Sequence, residues 1–347
     1  ELIFFDLKEK IYNKIKCNLS YEQKEMEVYK FSLETDLRKF FKLNKRDNLF
    51  FLEPNKTVII DQTLVFPPKY DLLIQEGSTL KFHNETGLII NGGLTIKGRD
   101  NKQVNFTNYK DAKWAGVLIL AEGKKVHIDN LIVNGGNGKI NDIQYRGTFT
   151  INDAKIKIEN SIFQNNQSED SLNLVQVNGD LKNITIQNTQ SDGLDIDYST
   201  ILISKSNFEN IGKTTGADAI DFSKSNVKMK NININNVTDK GISIGENSFS
   251  EISNLKVSSA TIGVAVKDSS NLIGKDIIFK KIRFVDAMAY RKKPHFTGGN
   301  IELINLNSTL NKFILQNGSS MTINNNKIKE KKIDIDLLYK TIMLSEK

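Results

Sequence analysis

The sequence predicts an all-β fold: a parallel β-helix, a solenoid of roughly 12 coils, each of ~23 residues, with a partly helical N-terminal cap. Three observations predict it. A motif returns at a fixed step, a second strand pattern sits inside each step, and one turn position is asparagine in successive steps.

The recurring motif reads SDGLDID, ADAIDFS, DKGISIG, TIGVAVKD and VDAMAYR, centred on Gly193, Ala219, Gly241, Gly263 and Ala287. The steps of 26, 22, 22 and 24 residues between those centres fit one solenoid coil and are short for most helical repeats. Upstream, LNL (172–174), FTI (149–151), GVLIL (116–120) and GLII (87–90) continue the series with longer loops. The second strand is visible as SIFQNN (161–166), ITIQN (184–188), SNFEN (206–210), ININN (232–236), NLKVSS (254–259) and DIIFKK (276–281). Both strands alternate apolar and polar residues, the pattern of a strand with one buried face. Asn165, Asn188, Asn210 and Asn236 share a turn position, where stacked amides bond along the axis. That ladder reads as structural.

Residues 1–54 lack this rhythm and read as a cap or the remnant of a preceding domain. Within them Leu7–Lys16 and Tyr21–Phe41 suggest helix, with Leu33, Leu37, Phe40 and Phe41 on one face. Residues 55–328 form the solenoid, and 329–347 are expected to cover its far end, since a solenoid must protect its terminal coils. The chain opens at Glu1 without Met, which reads as a processed or truncated start.

Composition bounds the function classes. With 347 residues, 39% of them hydrophobic, the chain supports a long core, while 4 Pro and 22 Gly exclude collagen-like sequence. Cys17 is the single cysteine, so no intrachain disulfide forms. No run of about 18 apolar residues is present, so no membrane-spanning helix is expected. The net charge of +7 comes from scattered Lys without interleaved aromatics, which argues against nucleic acid as partner. Patterns such as HExxH, CxxC, GxSxG or a phosphate loop are missing, and His83, His127 and His295 read as surface residues.

The chemistry lies in outward columns. In register these read Asp195, Asp221, Ser243, Ala265, Ala289; Asp170, Asp192, Asp218, Lys240, Ile262, Asp286; and Asp197, Ser223, Gly245, Lys267, Arg291. Carboxylates of Asp195 and Asp221 on adjacent coils would lie about 5 Å apart and need a compensating charge. Three compensators are open. Ca²⁺ held by Asp192, Asp195, Asp218 and Asp221 is one, a shared proton as in glycoside hydrolases is another, and an ion-pair lattice with Lys240, Lys267, Lys292 and Lys293 is the third.

The stretch TVIIDQTLVFPPKYDLLIQEGSTLKFHNETGLIINGGLTIKG, with VNFTN and WAGVLIL, resembles the first coils of right-handed parallel β-helix proteins of the pectate-lyase-like superfamily. Further on, SEDSLNLVQ, SDGLDIDYS, ADAIDFSKS, DKGISIGENS, IGVAVKDSS and YRKKPHF resemble a β-helix module associated with CotH-like spore-coat proteins. The resemblance covers most of residues 55–315. It implies the fold strongly, and function less, because the superfamily mixes lyases, epimerases, hydrolases and inert fibres. Asp stacked beside Lys resembles calcium-assisted uronate lyases, which implies a Lys base. The leading expectation is therefore a carbohydrate-active protein outside the cytoplasm, of lyase or epimerase type, acting on an acidic surface or extracellular polysaccharide. Lys267 would be the base, with Arg291 assisting and Lys240 as a third catalytic candidate. Asp170, Asp197, Asp239, Glu246, Lys292 and Lys293 would bind substrate. The competing expectation is a non-catalytic binding or structural module of a coat or adhesive assembly.

Overall fold

The structure, a computed structural model, describes residues 2–5, 12–15, 37–140, 143–213 and 216–343. It divides into two compact units, Glu1–Asp36 and Leu37–Lys347. In the first, Leu2–Phe5 pairs antiparallel with Tyr12–Ile15. The helix expected across Leu7–Lys16 is thus strand at 12–15. LIFF and YNKI are rich in Ile and aromatic side chains, which favour a pleated backbone. The rest of that expectation, and Leu33, lie outside the described residues.

The second unit is a parallel β-solenoid. One sheet has eleven strands, one per coil, running in neighbour order from Leu64–Phe66 to Phe313–Leu315. The rest of each coil is two short strands in the early coils, and from Thr200–Ile211 onward one long strand such as Asn226–Val237. Ser320–Ile323 opens a further coil. The expected count of about 12 therefore holds.

Sequence alternation accounts for this arrangement. Leu194, Ile220, Ile242, Val264 and Ala287 are successive register partners in the eleven-stranded sheet. All point inward and are buried, and each full burial of such an aliphatic chain is worth about 1.5–3 kcal/mol. Large rings fill wider places: Trp114 stacks on Phe82 with centroids 4.4 Å apart, and its indole N–H donates to the Asn134 carbonyl.

Corners are made by asparagine. Asn165, Asn188, Asn210 and Asn236 all have φ of 55–58°, the left-handed region that Asn tolerates better than most residues. Asn236 Nδ2 donates to Asn210 Oδ1 at 2.8 Å, and Asn210 Nδ2 to Asn188 Oδ1 at 3.0 Å. Asn165 bonds instead to Asn134. A second ladder is serine: the backbone N–H groups of Ser199, Ser225 and Ser248 donate to the Oγ of Ser225, Ser248 and Ser270, one coil on.

The small residue at the motif's centre has a steric cause. A Cβ on Gly241 would lie 2.6 Å from the Gly263 carbonyl, and one on Gly263 would lie 2.4 Å from that of Asp286. Coils approach one another through these points. The last motif is accordingly offset from its expected register: Asp286, not Ala287, stands opposite Gly263, and Val264 pairs with Ala287.

At the start, Leu37–Lys39 is a single 3₁₀ turn, followed by an antiparallel pair, Lys42–Asn44 with Leu49–Leu52. Leu37 and Phe41 are buried and Phe40 packs on them, so the apolar positions are as expected while the backbone here is not an α-helix. Leu49–Leu52 already pairs with the next coil, and the solenoid begins before residue 55. At the other end, Ile335–Leu338 is a short α-helix N-capped by Asp334, continuing as a π turn over Tyr339–Met343. It does not sit over the last coil's edge alone. Ile335 and Met343 are buried against Ile262, Ala265, Val285, Met288 and Tyr290, which include outward positions of the eleven-stranded sheet.

Candidate functional site

The outward face of that sheet carries a cleft of about 330 Å³ lined by Arg146, Glu169, Asp170, Asp192, Asp195, Asp197, Tyr198, Asp221, Ser223, Glu246, Lys267, Lys292 and Lys293. Most of the expected site residues converge there. The structure pairs Asp195 with Asp221 and Asp197 with Ser223 on neighbouring strands, and Asp170 with Asp192.

Four expected residues lie elsewhere. Lys240, Asp218 and Asp239 form a buried triad outside the cleft lining: Lys240 Nζ is 3.2 Å from Asp218 Oδ1 and bonds also to Asp239 Oδ2. Arg291 is exposed, and its N–H donates to Gln316. The one-residue offset of the last motif is the reason. Met288, not Ala289, follows Ala265, and Tyr290, not Arg291, stands beside Lys267. By the same offset Val285, not Asp286, follows Ile262. Asp286 is buried and accepts from Ser308 Oγ and the Lys312 N–H.

Around Asp195, Asn173 Nδ2 donates to Oδ2 at 3.1 Å and Arg146 lies 3.7 Å away. Asp221 Oδ1 is 3.8 Å from Lys267 Nζ and, among the described residues, has no hydrogen-bond partner although that atom is buried. Lys267 Nζ donates to Ser243 Oγ, one coil down. Lys292 and Lys293 are positioned by their backbone N–H groups, both of which donate to Asp268 Oδ1 at 2.7 and 2.8 Å. The Lys293 ammonium then reaches Glu246.

Burial sets the protonation of the cleft. It pushes the Asp195 carboxyl well above the usual carboxylate range, and the nearby charges of Asp221 and Asp197 push it further. Burial likewise raises Asp170, reinforced by Asp195 and Asp192, and Asp192, reinforced by Asp218. Asp197 is also raised by burial. For Lys267 burial acts downward, but Asp221, with Tyr339 and Asp218, carries the ammonium above the ordinary lysine value. An ammonium so held has no lone pair to remove a proton with. The expected role of Lys267 as base therefore lacks support.

The calcium expectation fares similarly. Among the described residues no group of three or more His, Cys, Asp or Glu side chains is arranged to hold a metal. Asp192 Oδ1 accepts the Asp218 N–H at 2.8 Å, Asp218 is taken by Lys240, Asp195 by Asn173, and Asp221 faces Lys267. With most of these carboxylates already bonded to protein donors and no such group present among the described residues, the set does not fit Ca²⁺, which draws several carboxylate oxygens together.

Sequence reasoning did not single out Arg146, Glu169 or Tyr198 as site residues. Arg146 sits at the foot of the long insertion before FTI, and Glu169 directly precedes Asp170. Tyr198 has φ of 53° and is half exposed at the rim, with Lys224 Nζ 5.0 Å from its ring centroid. An aromatic residue immediately after the outward Asp197 was the available signal.

No family model matches this chain and no curated protein matches it. Among solved structures, the chain is similar to an alginate lyase from Paenibacillus sp. at 10% identity and a TM-score of 0.35, covering 76% of this chain and 99% of that one. It is similar to tailspike protein 2 from an Escherichia coli O157:H7 bacteriophage at 15% identity and a TM-score of 0.33, covering 78% and 38%. It is also similar to the catalytic domain of a GH87 alpha-1,3-glucanase at 12% identity and a TM-score of 0.34, covering 82% and 66%. Likenesses at this level leave the fold to rest on the strand ladders themselves, and bring no support for the pectate-lyase-like superfamily or a CotH-like association. What the chain's own strand pairing establishes is its architecture, an all-β parallel solenoid.

Proposed function

We propose that the cleft hydrolyses a glycosidic bond in a polysaccharide, with Asp195 as general acid and Asp221 as the carboxylate opposite it. The observation that carries this reading is their placement: register partners on adjacent strands, both lining one cleft, one enclosed and the other more open. Asp195 is buried, accepts from the Asn173 amide at 3.1 Å and has Arg146 at 3.7 Å, yet burial and the neighbouring carboxylates outweigh the guanidinium and favour its proton. Asp221 has one oxygen 3.8 Å from the Lys267 ammonium, and its side chain keeps 28% of its surface exposed. A buried carboxyl whose proton is favoured, beside a more open carboxylate, is the pattern of an acid paired with a nucleophile.

The chemistry follows. Asp195 gives its proton to the glycosidic oxygen as the bond to the anomeric carbon breaks, and the exposed oxygen of Asp221 bonds to that carbon. Water then returns a proton to Asp195 and its hydroxyl to the anomeric carbon, which frees Asp221. Adjacent-strand spacing of about 4.8 Å is close to the carboxyl separation of about 5–5.5 Å that accompanies retention of configuration.

The lining has seven carboxylates (Glu169, Asp170, Asp192, Asp195, Asp197, Asp221, Glu246) against four basic groups (Arg146, Lys267, Lys292, Lys293). With Asp170, Asp192 and Asp195 favouring their protons, the other four carboxylates balance the four cations, so the cleft has no net positive charge to draw a uronate and suits a neutral glycan. Action outside the cytoplasm belongs to the same proposal, since extended polysaccharide is met there.

The test is release of reducing ends from a panel of neutral and acidic polysaccharides. Asp195→Asn is expected to lower the rate by about 100-fold or more with melting temperature kept or raised. If a new absorbance near that of an unsaturated uronate appeared on an acidic polymer, the lyase reading would return. Binding without any cleavage would leave the non-catalytic module.

A further inference from the structure

Along the solenoid axis the outward column changes character abruptly. It reads Thr150, Asn173, Asp195, Asp221 and Ser243, then Ala265 and Met288. Ala265 and Met288 are fully buried, although they face outward, because Ile335 and Met343 of the C-terminal segment lie on them. Tyr339 from the same segment bonds through its hydroxyl to Tyr290 at 2.6 Å. Lys292 stands 4.5 Å from the Tyr339 ring centroid and Lys240 stands 5.9 Å from it. At the cleft's other end Arg146 reaches across Glu169 and Asp195. Nearby, Asn137 and Gly138 donate backbone bonds to the Ala115 carbonyl.

We infer that the C-terminal segment Ile335–Met343 walls off the groove, so that the site takes the terminus of a polysaccharide chain and not its interior. This rests on the carbohydrate reading above and adds the part of the polymer that is recognised. A chain threading along the sheet would have to pass over Ala265 and Met288, where the segment already lies. Only a strand that stops in the cleft satisfies both the polar lining and the apolar seal. Tyr339 and Lys292, at the seal's polar edge, would meet the terminal sugar's hydroxyls.

Calorimetric titration tests it, with starch, dextran, galactan and mannan given at equal mass as intact polymer and as partial acid hydrolysate. The full chain is used as wild type and as Asp195→Asn, which holds substrate uncleaved. For a hydrolysate with roughly ten times as many chain ends, the mass at half-saturation is expected to fall roughly tenfold. Equal half-saturation by mass would overturn the inference, because interior segments would then bind. Binding to none of them would overturn it together with its carbohydrate basis, whereas end-dependent binding without cleavage would sink hydrolysis alone. In Ile335→Asp, which unseats the segment, the mass ratio is expected to fall to about one. An unchanged ratio, with the segment shown by its new protease sensitivity to be free, would overturn the wall's role.

Discussion

Lys240 is an ammonium with almost no water around it, 3% exposed between Asp218 and Asp239, themselves 5% and 1% exposed. Burial pushes its proton off, yet Asp218 and Asp239 hold the ammonium well above its ordinary value. Removing one partner of a buried ion pair strands the others, at a cost of about 3–5 kcal/mol. Lys240→Met is therefore expected to lower the urea midpoint sharply. Adding Asp218→Asn and Asp239→Asn should recover much of it, and a midpoint unmoved by Lys240→Met alone would refute the account. The cleft aspartates behave oppositely. Asp195→Asn replaces a carboxyl whose charge burial disfavours with a neutral amide, so activity and stability should part company, as they do where a site is strained for function. Individual acids were legible in the sequence because four of them crowd two short motifs. What they do was not, because the partners Arg146 and Asn173 come from other coils. Asp286 shows the limit: beside two alanines it aligns equally well in two registers, and only its bonds to Ser308 and Lys312 choose between them.

At the level of the strand, the eleven-stranded sheet is held by close contact at the motif's centre. Gly241→Ala would place its methyl against the Gly263 carbonyl and also 2.7 Å from a Val257 methyl. Overpacking of this kind costs about 1–3 kcal/mol, and the melting temperature should fall by several degrees. A stable Gly241→Ala protein would mean that the coils separate more easily than their spacing implies. Strand positions and their inward parity could be read directly, since alternation is a local signal. The serine ladder could not, because Ser is common in every turn and only stacking distinguishes Ser225, Ser248 and Ser270. The C-terminal segment misled for a related reason. Its apolar residues announce that it must cover something, while the choice between the coil's edge and the groove face depends on Ala265 and Met288, which look like ordinary strand residues.

Across the whole molecule, charge and pH are linked through the cleft. Burial raises Asp170, Asp192 and Asp195 in the folded chain above their unfolded carboxylate values. Their contribution is fully present below the unfolded carboxylate value and is lost as pH rises through the raised folded values. Stability to urea is expected to be greater near pH 5 than near pH 8, and Asp170→Asn with Asp195→Asn should flatten the slope. A midpoint that climbs over that interval would reverse the sign and refute the burial account. Chelator is expected to leave the melting curve unchanged, since Lys240, Lys267, Arg146 and Asn173 already meet the carboxylates; a fall restored by calcium would show a native-state metal. The solenoid was legible as a whole because its period is written into many coils at once, whereas the groove's length was not, being set by a segment outside the repeat. The one-residue-per-coil columns also carry a consequence for change over time. Inward and outward positions alternate on each strand, so the residues facing the groove at Asp195, Asp221 or Ser243 can be exchanged singly while Leu194, Ile220 and Ile242 stay as they are. Specificity in such a molecule can drift one rung at a time under an unaltered core.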